Sequence, residues 1–199
     1  MRWTHVTAGF VFLLLSGCSA SGSRQDVPCE LLRAGDVVFR RGNGTKSQAV
    51  LYADREGMYS HTGIVVQLTD STLRIVHAEP DKTCGDSLKL ETLKSFFSEK
   101  NAEKGAIMRF ACSAECAAQA ADYALKLYNA HSTVFDHDYD LKDSTQLYCT
   151  ELVWRAYLHA GIDISNGRRT ALNAPSFSGY YLMPSDVYKN EEGVVVYEF

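Results

Sequence analysis

The chain predicts an α+β fold in which an antiparallel sheet packs against helices. Two Ile- and Val-rich segments, residues 61–68 and 73–79, flank the turn-like Thr69-Asp70-Ser71-Thr72 and read as a β-hairpin. Residues 106–110 read as a third main strand. Two later segments repeat apolar residues at helical spacing, Ala117, Ala121, Ala124, Leu125 and Tyr128 in one and Leu152, Val153, Ala156, Tyr157 and Ala160 in the other.

The elements follow in order. Residues 36–40 form a short strand after the turn Ala34-Gly35, and residues 45–53 a short helix. The hairpin comes next. Residues 88–100 carry Leu90, Leu93, Phe96 and Phe97 at helical spacing, which predicts a helix there. After the strand at 106–110, Ser113 is placed to cap a helix over 114–128. The last helix stops at Gly161, and Cys149 falls at or near its first turn.

Residues 1–17 have a basic start at Arg2, an apolar run and then Leu15-Ser16-Gly17-Cys18. This is the pattern of a signal peptide, and the apolar run is about half the ~20 residues a bilayer-spanning helix needs. Small residues before a cysteine resemble the lipoprotein-processing motif, which implies lipidation of Cys18, a tether over 18–26 and a membrane anchor. Ser19, where enteric lipoproteins retained at the inner membrane carry Asp, implies the outer membrane, facing the periplasm. Residues 27–199 then form one domain, and 46% hydrophobic composition supports a full core. A net charge of -4 without basic clusters argues against nucleic acid as a partner; oligomeric state is not legible.

Cys29, Cys84, Cys112 and Cys116 offer two disulfides in an oxidising compartment, in a pairing that spacing leaves open. Cys112 and Cys116 are too few ligands for a zinc site, and neither a metal nor an organic cofactor is expected.

A cysteine at a helix start has chemical meaning, because unpaired N–H groups and the helix dipole favour thiolate and can stabilise an oxyanion. An isolated cysteine there is more often a small core residue, so a base must be found. His61 opens an apolar strand after Tyr59-Ser60. His131, His137 and His159 lie on loop-like or helix-end segments and read as surface or packing residues.

Leu32-Arg33-Ala34-Gly35-Asp36-Val37-Val38-Phe39, Ser60-His61-Thr62-Gly63-Ile64-Val65, Val76-His77-Ala78-Glu79-Pro80 and Tyr148-Cys149-Thr150-Glu151-Leu152-Val153 together resemble the YiiX/YebB-like branch of the NlpC-type cysteine hydrolases. The likeness spans about residues 31–187 and includes Phe135-Asp136-His137-Asp138-Tyr139-Asp140. Order is diagnostic: ordinary NlpC-type and papain-like enzymes place the cysteine before the histidine, whereas this branch is circularly permuted and also resembles lecithin retinol acyltransferase-like proteins.

The resemblance implies a circularly permuted papain-like fold, Cys149 as nucleophile and His61 as general base. It also implies a polar third residue on the following strand, best matched by His77, with Glu79 as the alternative. If residues whose numbers sum to 141 face each other across the hairpin, His61 opposes Pro80. His77 then needs an odd-length turn or a bulge to share a face with His61. Tyr148 is a candidate for the oxyanion site, beside its plain reading as a packing residue. His61 and the first helical turn should depress the Cys149 thiol pKa. The substrate class implied is a peptide or amide of the cell envelope, with peptidoglycan stem peptides as the analogy. A lipid-directed acyltransferase or thioesterase, and a catalytically silent envelope-binding module, are the alternatives.

Overall fold

The computed structural model describes residues 27–199 except Lys82, Cys84, Pro175 and Ser176. The expected signal segment 1–17, the lipidated Cys18 and the tether 18–26 lie outside the described residues, as does Cys84. The elements run β1 (Val37–Arg41), α1 (Thr45–Ala53), β2 (His61–Gln67), β3 (Leu73–His77), β4 (Lys89–Glu91), α2 (Leu93–Phe96) and β5 (Lys104–Phe110). They continue with α3 (Ala114–Ala130), α4 (Cys149–His159), β6 (Thr170–Ala174), β7 (Phe177–Tyr181), α5 (Pro184–Tyr188) and β8 (Gly193–Glu198). Six strands pair antiparallel in the order β4-β3-β2-β1-β5-β8, and β6 and β7 form a separate hairpin.

Both faces of the central strands are buried, so β1 and β2 read as near-continuous apolar runs. Val37, Phe39, Ile64, Val66 and Val76 join a core with Ala120, Ala121 and Ala124 of α3 and Leu152, Val153 and Ala156 of α4. Val38, Val65, Ile75 and Ile107 point the other way, onto Val27, Leu32, Phe96 and Phe97. Each large side chain buried in this way contributes roughly 1.5–3 kcal/mol. An exposed ion pair such as Lys189 with Glu56 is screened by solvent and adds little beside this. Two-faced burial therefore decides where β2 lies and which way each of its residues points.

Asp36 of the first quoted motif is buried and takes hydrogen bonds from the Arg33 N–H (2.8 Å) and from Arg109 Nε and Nη2 (2.7 Å each). Gly35 has φ 91°, and a Cβ there would lie 2.6 Å from the Ala117 carbonyl oxygen. Its own carbonyl accepts the Tyr157 hydroxyl at 2.5 Å. This motif docks β1 onto α3 and α4.

The hairpin register is one residue tighter than the sum of 141 supposed: Ile64 faces Val76 and Gln67 faces Leu73. The Leu68 N–H bonds the Thr72 carbonyl, leaving residues 69–71 as a three-residue loop with Ser71 in the left-handed region (φ 65°). The turn is thus odd in length, which sets His61, Gly63, Val65, Ile75 and His77 on the face that carries Phe96.

The helix expected over 88–100 is corrected. Residues 89–91 are strand β4, paired with β3 (Ile75 with Glu91, His77 with Lys89). Thr92, in an extended conformation, then caps the single-turn α2 by accepting the Ser95 N–H at 3.1 Å. Pairing at an open sheet edge overrides the helical spacing of Leu90, Leu93, Phe96 and Phe97. The later helices match expectation: the Ser113 hydroxyl accepts the Cys116 N–H, and Gly161 (φ 86°) follows the end of α4. Of the cysteines offered for disulfides, Cys29, Cys112 and Cys116 carry free thiols.

Candidate active site

Cys149 is the first residue of α4, after Tyr148 in an extended conformation with no side-chain cap. The helix N-terminal amides therefore remain available beside the thiol. The loop before it is tied down from two sides. Asp136 accepts the N–H groups of Asp138 (2.8 Å) and Asp140 (2.6 Å), and Arg155, paired with Glu151 at 2.7 Å, bonds the Leu141 carbonyl at 2.6 Å. Tyr139 in this loop has φ 56°, and its ring packs on Tyr148. Burial pushes the Glu151 carboxyl up to about 7, with Arg155 pulling it back.

The start of α4 meets the start of β2. The Thr62 N–H, one residue after His61, is aimed at the Cys149 thiol, whose side-chain partner is Thr150 Oγ1 at 3.8 Å. Thiol and imidazole share no direct hydrogen bond; such contacts tighten when substrate binds. His61 Nε2 lies 2.9 Å from His77 Nδ1, with the rings nearly perpendicular, so His61 Nδ1 is the nitrogen left free.

The Phe96 ring packs on both, its centroid 5.8 Å from that of His61 and 5.3 Å from that of His77. Gly63 lies between them on the same face. His77 is fully buried, and its Nε2 lies 3.5 Å from Glu91 Oε2. Neither of those two buried atoms has a hydrogen-bond partner of good geometry.

Glu79, the alternative third residue, is turned elsewhere: it pairs with Arg40 at 3.3 Å and with Lys89 at 3.4 Å. The Tyr148 hydroxyl accepts the Leu182 N–H at 3.1 Å and anchors the helix start to the segment after β7. His137 pairs with Asp86 at 2.8 Å. With Lys46, Pro80, Asp81, Phe135 and Tyr139 it lines a depression of about 460 Å³.

Arg40, unmarked in the sequence reading, is the cross-strand partner of His61 and is 5% exposed. Its guanidinium lies 4.5 Å from the Phe96 ring centroid and donates to the Phe96 carbonyl at 3.2 Å. An arginine in register with Val38, at the end of the apolar run Val37-Val38-Phe39, is the available signal.

Burial is the largest influence on both members of the Cys149 and His61 pair. It pushes the thiol up, against the Thr62 N–H, Thr150 and Arg40, which all favour thiolate. It holds His61 well below the usual imidazole range, reinforced by the charges of Arg40, His77 and Lys89. The expected depression of the thiol pKa is therefore corrected to a rise, with burial as its largest cause. His77 is also lowered, by burial, with Glu91 opposing.

A family model described as "Permuted papain-like amidase enzyme, YaeF/YiiX, C92 family" matches residues 31–192. The chain belongs to this family of permuted papain-like amidases. It is accordingly a cysteine hydrolase, and its antiparallel sheet with packed helices is the permuted papain-like fold. Among solved structures, the crystal structure of the metalloprotein yiiX from Escherichia coli O157:H7 is similar at a TM-score of 0.67 and 20% identity. The match covers 84% of this chain and 97% of that one. No curated protein matches the chain. Among the described residues no group of three or more His, Cys, Asp or Glu side chains is placed to hold a metal ion.

Proposed function

We propose that this member of the YaeF/YiiX family is a cell-envelope lipoprotein that cleaves a peptide or amide bond through Cys149, His61 and His77. The observation that carries the reading is the His61 Nε2 to His77 Nδ1 contact of 2.9 Å, which leaves Nδ1 free at the strand start where the Thr62 N–H meets the thiol. His61 Nδ1 takes the Cys149 proton as sulfur attacks the carbonyl carbon. The oxyanion meets N–H groups at the start of α4. Collapse expels the amine, which takes the proton from His61 and leaves a thioester. Water, deprotonated by His61, attacks the thioester to give a tetrahedral intermediate, which collapses to the carboxylic acid with the thiol restored.

The depression lined by Lys46, Pro80, Asp81, Phe135, His137 and Tyr139 borders the loop that leads into Cys149, and we read it as the place where an envelope peptide lies. Peptidoglycan stem peptides fit that description, and lipidation at Cys18 would hold the enzyme at the outer membrane. The test is mass spectrometry of purified cell-wall and lipid fractions incubated with the protein and with Cys149→Ala. Released peptide or amine products that require Cys149 support the reading. Products confined to the lipid fraction would replace it with a lipid-directed activity, and identical spectra for both proteins would make the chain a binding module.

A further inference from the structure

We propose that Glu91 is a positioning residue of this site: its carboxylate fixes which ring nitrogen of His77, and through it of His61, carries the proton. The proposal rests on the reading of His61 as the base. A neutral imidazole has one N–H donor and one acceptor nitrogen, so the 2.9 Å contact between His61 Nε2 and His77 Nδ1 can be written two ways.

If His77 Nδ1 held the proton, His61 Nε2 would accept it and the His61 proton would sit on Nδ1. The nitrogen left free by His77, and assigned as the base, would then be blocked. His77 Nε2 would at the same time turn a bare lone pair toward the Glu91 carboxylate 3.5 Å away, two acceptors opposed in a buried place. In the other arrangement His77 Nε2–H points at Glu91 Oε2, His77 Nδ1 accepts from His61 Nε2–H, and His61 Nδ1 is bare. Only this one gives the two otherwise unpartnered buried atoms to each other.

Placement agrees. Glu91 pairs with Ile75 across the β3–β4 ladder and so shares a face with His77. The contact with His77 is the largest influence on the Glu91 carboxyl and holds it below the usual carboxylate range. The other charged groups around the two rings are Arg40 from β1, Lys89 from β4 and Glu79 just beyond β3. Arg40, Lys89 and Glu79 engage one another in ion pairs, which leaves Glu91 as the carboxylate directed at His77 Nε2. During attack one proton moves, from the thiol to His61 Nδ1. The proton on each Nε2 stays in place, and Glu91 lies in line to stabilise the imidazolium.

The experiment is long-range proton–nitrogen NMR of the full chain, labelled with 15N-histidine, in detergent micelles at neutral pH. It compares the natural sequence with Glu91→Gln and Glu91→Leu, and follows p-nitrophenyl acetate hydrolysis in parallel. The expected result is that both rings are Nε2–H tautomers in the natural protein and in Glu91→Gln, whose side-chain carbonyl still accepts. In Glu91→Leu the Nδ1–H form should become populated and hydrolysis should fall by about 10- to 100-fold. An Nδ1–H tautomer on either ring of the natural protein, or unchanged tautomers in Glu91→Leu, overturns the proposal. Cys149→Ala separates the two readings: if it hydrolyses the ester at the full rate, the catalytic assignment fails while the tautomer result stands by itself.

Discussion

Gly63→Ala places one methyl group between His61 and His77 on the face that carries both. Its Cβ would stand 2.7 Å from Ile75 Cγ2, 3.0 Å from the Val76 carbonyl oxygen and 3.1 Å from His77 Cβ. Carbon atoms in contact prefer about 3.5–4.0 Å. Ile75 and Val76 are fully buried and held in the β2–β3 ladder, so little relief comes from a side-chain rotation. Overpacking of this kind costs about 1–3 kcal/mol. For a domain of this size each kcal/mol lowers Tm by about 2–4 °C, so the expected fall is roughly 2–12 °C. Separation of β3 from β2 would also stretch the contact between His61 and His77. Ester hydrolysis measured well below the new Tm should therefore drop by about tenfold or more. Calorimetry and the hydrolysis assay on the same preparation test both parts. A Gly63→Ala protein with the original Tm and rate would show that the strand pair is looser than described and that His77 needs no such close fit.

Arg40→Met removes a fixed cation near the dyad, so alkylation of Cys149 by iodoacetamide should need a higher pH. Arg40→Lys should retain most of the original profile, and identical profiles for all three would remove the electrostatic role. Burial depresses both His61 and His77 in the folded chain, so the unfolded chain takes up their protons first as pH falls. The stability they contribute is complete above about pH 6.5 and is lost below it, by up to about 1.4 kcal/mol per pH unit for each ring. Urea midpoints at pH 7, 6 and 5 should show a slope that becomes shallower in His77→Gln; an unchanged slope would place the titration elsewhere. Cys18→Ser should move the protein from the membrane fraction to the soluble one with the same domain Tm, and retention at the membrane without lipid mass on the N-terminal peptide would count against the anchor.

The hairpin and the helix that carries Cys149 were legible because β-branched runs bounded by Thr69-Asp70-Ser71-Thr72 and a stop at Gly161 are local signals. The face on which His77 falls was not, since it depends on a register that local composition does not encode. Glu91 was hidden by a different cause. Leu90, Leu93, Phe96 and Phe97 imitate a helical stripe, and only an open edge on β3 turns their first part into a strand. Beyond Gly161 the sequence predicts no element, and β8, with its Val194-Val195-Val196 run, and the β6–β7 hairpin come from the structure alone. The direction of the thiol pKa is not legible, because a helix start and a neighbouring base are visible in a sequence whereas the burial that opposes them is not.

The three-residue loop at 69–71 ties chemistry to parity. Adding or removing one residue there would invite the partner strand to slip by one and send His77 to the opposite side of the sheet, among the helices. Two residues would restore the original side. Insertions and deletions in this exposed tip should thus be tolerated in even steps and selected against in odd ones, although nothing in the loop touches the reacting atoms. Deleting Ser71 alone and Ser71 together with Thr72 would compare the two cases directly, with the double deletion expected to keep more hydrolysis than the single one. The reverse ranking would mean that a bulge absorbs the change and that the lineage has been free to vary this turn by any length.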